Sequence, residues 1–156
     1  GAAAFLAFGA GFVHLGCSYT MSWQSTCAQN LKQLSMGLLM YAHDHDERFP
    51  PASVWADTPY IWGKDALLRC PAARSPYGYG MNEATGSAAL RNITMPSEMV
   101  LLFEADAPVR SYAAGRAALA SDRHSGVSTQ AFCDGHVQRM PRDKAAQLRW
   151  MPGISD

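Results

Sequence analysis

The sequence predicts an α+β fold in which one long N-terminal helix packs on a small antiparallel sheet, and three observations carry that expectation. From Gly1 to Leu31 there is no Asp, Glu, Lys or Arg, and the first half of that stretch is small and apolar. Cys27, Leu31, Leu34, Leu38 and Tyr41 then recur at spacings of four and three, which sets them on one face of a helix. The β-prone runs lie late in the chain, in "EMVLLFEAD" and on both sides of Asp134-Gly135. At 156 residues this is the size of one domain with its own core.

As a helix, Gly1 to Trp23 would be about 34 Å long, enough to cross a hydrocarbon core of roughly 30 Å. A transmembrane helix over residues 1–26 is therefore expected, with the domain proper at 27–156 and the helix continuing to about residue 44. Ala2 to Val13 would meet lipid or neighbouring helices, and Gly9 and Gly16 would permit close approach. A buried hairpin in a soluble core is the alternative, since the run is only moderately apolar and contains His14. A secretory signal would need a basic leading region, which this segment lacks. Pro50 and Pro51 end the helix after "HDHDERF".

From Pro50 to about Arg91, prolines and the glycines of "YGYGMNEATG" give a loop-rich passage with short extended pieces. Residues 98–106 read as a buried strand. "VSTQAF" and "HVQRM" flank Asp134-Gly135, a hairpin signal that predicts a turn of the I′ type. A last helix fits "PRDKAAQLRW", with Pro141 in its first turn.

Lys+Arg and Asp+Glu both total 13, so no net charge draws the chain to nucleic acid. No Gly-x-Ser-x-Gly elbow, phosphate loop or Cys-x-x-Cys is present, and nothing calls for an enzyme. His124, Asp134 and His136 offer imidazole and carboxylate donors for a divalent ion. The competing reading has Asp134 building the turn while His124 bonds a carbonyl across the hairpin. A metal-dependent enzyme using His124 and Asp134 is the weakest functional idea. His43, Asp44, His45, Asp46 and Glu47 are dense in donors, but neighbours in a helix point apart, so a solvated helix end is expected. Of four cysteines, Cys27 and Cys70 are the preferred disulfide, tying the helix to the loop-rich middle, with Cys133 a buried small hydrophobe. Four free thiols in the core is the alternative.

"CAQNLKQLSMGLLMYAHDHDERFP", "LLRCPAAR", "YGYGMNE" and the His124-x9-Asp134-Gly135 spacing, in that order, resemble the processing-associated branch of the bacterial prepilin-type family. The resemblance implies a pilin-like fold in the bacterial inner membrane, single-pass, with the main domain periplasmic or extracellular. It also implies a non-catalytic structural subunit that meets lipid, other membrane subunits or copies of itself through its first helix. His124, Asp134 and Gly135 are then a structural signature. No cofactor is expected, with a divalent cation such as calcium the candidate. The family carries a Glu at its fifth mature position, whereas this chain has Phe5 and no acid before Asp44. That departure favours the second reading, an accessory single-span subunit of a larger membrane complex such as a respiratory or photosynthetic one.

Overall fold

Helix α1 (Ala10–Asp44) runs unbroken for 35 residues in the computed structural model, which describes residues 10–119 and 123–151, with side chains from Trp23 onward. Its C-terminal half is held by the stripe read in the sequence. Cys27, Leu31, Leu34, Leu38 and Ala42 are fully buried, and Tyr41 sits at the edge of that stripe, half-buried. The helix stops where Asp46 and Glu47 turn into the left-handed region at φ 53° and 56°, and Phe49 then bonds back to Ala88.

Five strands follow: β1 (Tyr77–Asn82), β2 (Val100–Ala107), β3 (Ala113–Ala114), β4 (Val127–Phe132) and β5 (Val137–Pro141). Their order in the sheet is β3-β1-β2-β4-β5. β2 is the central strand, and its run of apolar residues is buried on both faces. Toward α1, Leu101 and Leu102 join Tyr79, Met81, Trp55, Ile61 and Leu68 in the larger core. On the far side, Phe103 and Ala105 pack with Leu119, Phe132, Ala145 and Trp150, where Phe103 and Trp150 meet edge to face at 5.0 Å. A register shift between Val100 and Leu102 is what lets Leu101 and Leu102 serve the same core.

Four expectations are corrected. Among the described residues no helix is long and apolar enough to cross a membrane. Beyond Cys17 the helix carries Gln24, Gln29, Asn30, Lys32 and Gln33, so its apolar surface is a stripe against the domain rather than an all-round lipid face. The pilin-like architecture with a transmembrane N-terminal helix, and with it the placement in the bacterial inner membrane, is thereby overturned. Gly9 and most of Ala2–Val13 lie outside the described residues, as do the surroundings of Gly16 and Cys17. Second, the sheet is mixed, because β3 runs parallel to β1. Third, the last helix, α2 (Arg142–Ala145), is a single turn, since Pro141 ends β5 and Leu148 and Trp150 reach the core from the irregular chain after it.

The fourth correction concerns the hairpin. Phe132 N–H donates to His136 O and Gly135 N–H to Phe132 O, giving a three-residue loop in which Gly135 alone has positive φ, at 84°. A I′ turn needs two such residues, so this is the longer loop that ends in a left-handed glycine. The loop docks on the helix: Lys32 Nζ donates to Gly135 O at 2.7 Å, and a Cβ on Gly135 would meet Leu39 at 2.8 Å.

Candidate metal centre

Four distant segments send one side chain each to a single point beneath α1. Cys27 projects from the buried stripe of the helix. Cys70 follows the 3-10 turn Asp65–Leu68, and its loop lies against β1 so closely that a Cβ on Gly78 would stand 2.5 Å from Cys70 Cβ and 2.6 Å from its backbone nitrogen. Only glycine at position 78 lets that loop approach the strand. Glu104 belongs to β2, on the face turned toward α1. His124 sits in the turn Arg123–Gly126 that leads into β4.

That turn is bent sharply. His124, Ser125 and Gly126 have φ of 51°, 60° and 82°, three consecutive residues in the left-handed region. Non-glycine residues adopt that region at a cost and chiefly where the surroundings fix them. Here Gln24 on α1 donates to His124 O at 2.9 Å. Arg123, buried beside it, donates to Gly78 O and Ala105 O at 2.7 Å each and pairs with Asp106. The turn is thus pinned to α1, β1 and β2, and the imidazole points inward.

The donor atoms of Cys27, Cys70, Glu104 and His124 all lie within 4.8 Å of one another, and every one of the four residues is buried. Cys27 Sγ donates to Cys70 Sγ at 2.7 Å; Cys70 Sγ is 3.6 Å from His124 Nε2, and the same Nε2 is 3.2 Å from Glu104 Oε1. The shared ring nitrogen decides the chemistry. A Cys-His-carboxylate relay needs thiol and carboxylate on opposite nitrogens of the imidazole. Here both face one nitrogen, the arrangement of ligands around a common centre. The group could hold a metal ion.

The four groups polarise one another. The hydrogen bond to Cys70 and burial push the Cys27 thiol up, while the same bond draws Cys70 down. Burial opposes that lowering of Cys70, and the Ala72 N–H and the Arg123 charge assist it. Glu104 beside it raises His124 above its ordinary value, against the effect of burial. One Glu104 oxygen, Oε2, accepts Thr129 N–H at 3.1 Å, whereas Oε1 has no hydrogen-bond partner of sound geometry. A buried carboxylate oxygen left so is costly unless a cation completes it. Behind Cys27, Asn30 Nδ2 donates to Arg69 O at 3.1 Å and to Tyr79 Oη at 3.3 Å. The Tyr79 phenol is pushed up first by burial and then by Cys27 beside it.

Of the residues singled out from sequence, Cys27, Cys70 and His124 converge, but Cys27 and Cys70, expected as a disulfide, are free thiols in contact at 2.7 Å. Asp134 and His136 do not join them. β4 separates His124 from the turn by its whole length, about 20 Å at ~3.3 Å per residue. Asp134 Oδ1 instead accepts His136 N–H at 3.0 Å and faces His136 Nδ1 at 2.6 Å in the exposed turn, where His136 stacks on Phe132. The cross-hairpin bond expected of His124 is not made among the described residues: its ring Nε2 faces Cys70 and Glu104 instead. Residues 43–47 are exposed, with His45 stacked on Tyr41 and Asp44 bonded to Tyr60. Glu104 escaped notice, although an acid in the middle of the apolar run "VLLFEADA" was a signal for a partnered, buried carboxylate.

No protein-family model matches this chain, and neither does any curated protein or solved structure. The class is therefore defined by fold and site alone: an α+β domain built around a buried dithiol–imidazole–carboxylate cluster.

Proposed function

We propose that this chain is a non-catalytic structural module whose fold is clamped by one zinc-class divalent ion held by Cys27, Cys70, Glu104 and His124. The observation that carries this is the convergence of four donors from four segments on one enclosed point. A tetrahedral zinc with bonds near 2.3 Å to sulfur and 2.0–2.2 Å to nitrogen and oxygen has edges of about 3.5 Å between sulfur and nitrogen and about 3.4 Å between nitrogen and oxygen. The separations of 3.6 and 3.2 Å lie close to those edges. Two thiolates and an imidazole favour zinc over calcium, which takes six to eight oxygen ligands. Catalytic zinc keeps an open position for water or substrate, whereas this site is supplied with four ligands and buried on every side. Thr129 N–H on Glu104, the Ala72 N–H on Cys70 and Tyr79 beside Cys27 supply the outer contacts that orient metal ligands, and Asn30 in turn holds Tyr79.

The test is elemental analysis of the chain purified with a thiol reductant and without chelator. One zinc per chain is expected, and cobalt substitution should give the visible bands of a tetrahedral site together with thiolate charge transfer. Cys70→Ser and His124→Ala should lose the stoichiometric ion, with circular dichroism checking that they fold. Wild type that retains no metal after reconstitution with equimolar zinc and desalting would overturn the reading.

A further inference from the structure

The sulfur pair departs from the tetrahedron. Two thiolates on one zinc stand about 3.8 Å apart, and a disulfide places them at about 2.05 Å. Cys27 Sγ and Cys70 Sγ are 2.7 Å apart, so about 1 Å of separation leads to the one arrangement and a smaller approach to the other. When the sulfurs leave, His124 Nε2 stands 3.2 Å from Glu104 Oε1, within reach of a hydrogen bond that the present geometry does not make, and Glu104 Oε2 keeps its Thr129 N–H.

We infer that the centre is a two-state clasp in which hydrogen peroxide exchanges the bound ion for a Cys27–Cys70 disulfide, leaving Glu104 and His124 to pair with each other. The inference rests on the zinc reading above. The Cys70 thiolate attacks the terminal peroxide oxygen; the O–O bond breaks, and the departing oxygen leaves as water after taking a proton. Cys70 is then a sulfenic acid, whose sulfur the Cys27 thiolate attacks, expelling hydroxide that is protonated to a second water. Two thiolates, one hydrogen peroxide and two protons give one disulfide and two waters, and the ion, having lost both sulfur ligands, dissociates. Cys27 and Cys70 lie 43 residues apart, one on α1 and one on the loop against β1, so either state joins the helix to the sheet. The clasp changes its ligand content without opening the fold.

The experiment uses the whole chain, reduced and loaded with zinc, treated with stepwise hydrogen peroxide while a metallochromic dye reads free zinc, a thiol reagent counts cysteines, and peptide mapping locates the cross-link. Release of one zinc per chain, in step with the loss of two thiols and a Cys27–Cys70 peptide, is expected; dithiothreitol should then restore zinc uptake, and Cys133→Ser should behave as wild type. Zinc that stays bound at full peroxide, or leaves with sulfinic acids and no Cys27–Cys70 link, overturns the two-state clasp and leaves the zinc reading standing. A reduced chain that never binds zinc overturns both, even if the disulfide forms.

Discussion

Glu104 completes the centre rather than supplying its charge. Two thiolates already neutralise one divalent ion, so the carboxylate adds affinity chiefly by filling the fourth position. Glu104→Gln keeps the shape and can still accept Thr129 N–H. It should weaken zinc binding by at least about tenfold in competition with a chelator, the scale of losses seen even for residues one step removed from a metal, while the thermal transition of the metal-free form stays close to wild type. Equal affinities in the two proteins would show that the carboxylate is no ligand. Cys133 supplies the contrast. Burial, with the nearby Asp134, raises its thiol to about 12. Its thiolate is therefore scarce at neutral pH, and Cys133 should resist alkylation in the native chain until denaturant unfolds it, as followed by mass spectrometry.

At the scale of the element, the parts that were legible from sequence are those whose partners are local. The stripe Cys27, Leu31, Leu34, Leu38 is a property of one helix, and β2 and the β4–β5 hairpin announce themselves by β-prone runs and a turn glycine. The His124-to-Asp134 spacing was legible as a regularity but not as a structure: nine residues between them are one strand and its approach, which keeps the two ends apart. β1 was hidden because "YGYGMN" reads as loop. Its glycines are there for close contact, Gly80 beneath Tyr112 and Phe103, Gly78 against Cys70. β3 pairs for only two residues and in parallel with β1, which leaves no local pattern to read. The site itself needs residues from four elements, and no periodicity links them. Gly78→Ala tests the element that positions Cys70. Its methyl would meet that residue's Cβ and backbone nitrogen, neither of which can swing away. A loss of about 1–3 kcal/mol, the usual cost of overpacking, is expected in denaturant melts together with weaker zinc binding. Leu34→Ala, a deletion in the same core, should cost about 2–5 kcal/mol yet leave the zinc stoichiometry of the folded fraction intact.

For the whole molecule, the spread of the ligands along the chain makes ion binding and folding one equilibrium. Cys27, Cys70, Glu104 and His124 are brought together only when α1, the Cys70 loop, β2 and the turn before β4 are all in place, so the unfolded chain offers no comparable site. An ion that binds only the native state stabilises it by RT ln(1 + [L]/Kd), about 4 kcal/mol at a thousandfold excess over Kd. For a chain of this length each kilocalorie moves the midpoint by roughly 2–4 °C, so stripping zinc from the reduced protein should lower Tm by about 8–16 °C. The apo form remains folded below that midpoint, because the two apolar cores on either side of the sheet are built without the ion. Scanning calorimetry of the reduced chain with zinc, and with chelator in its place, measures the difference. A Cys27→Ser, Cys70→Ser double variant should melt at one temperature in both conditions. A wild-type midpoint indifferent to the chelator would mean that the cluster closes the core as ordinary buried side chains, with no ion in the fold.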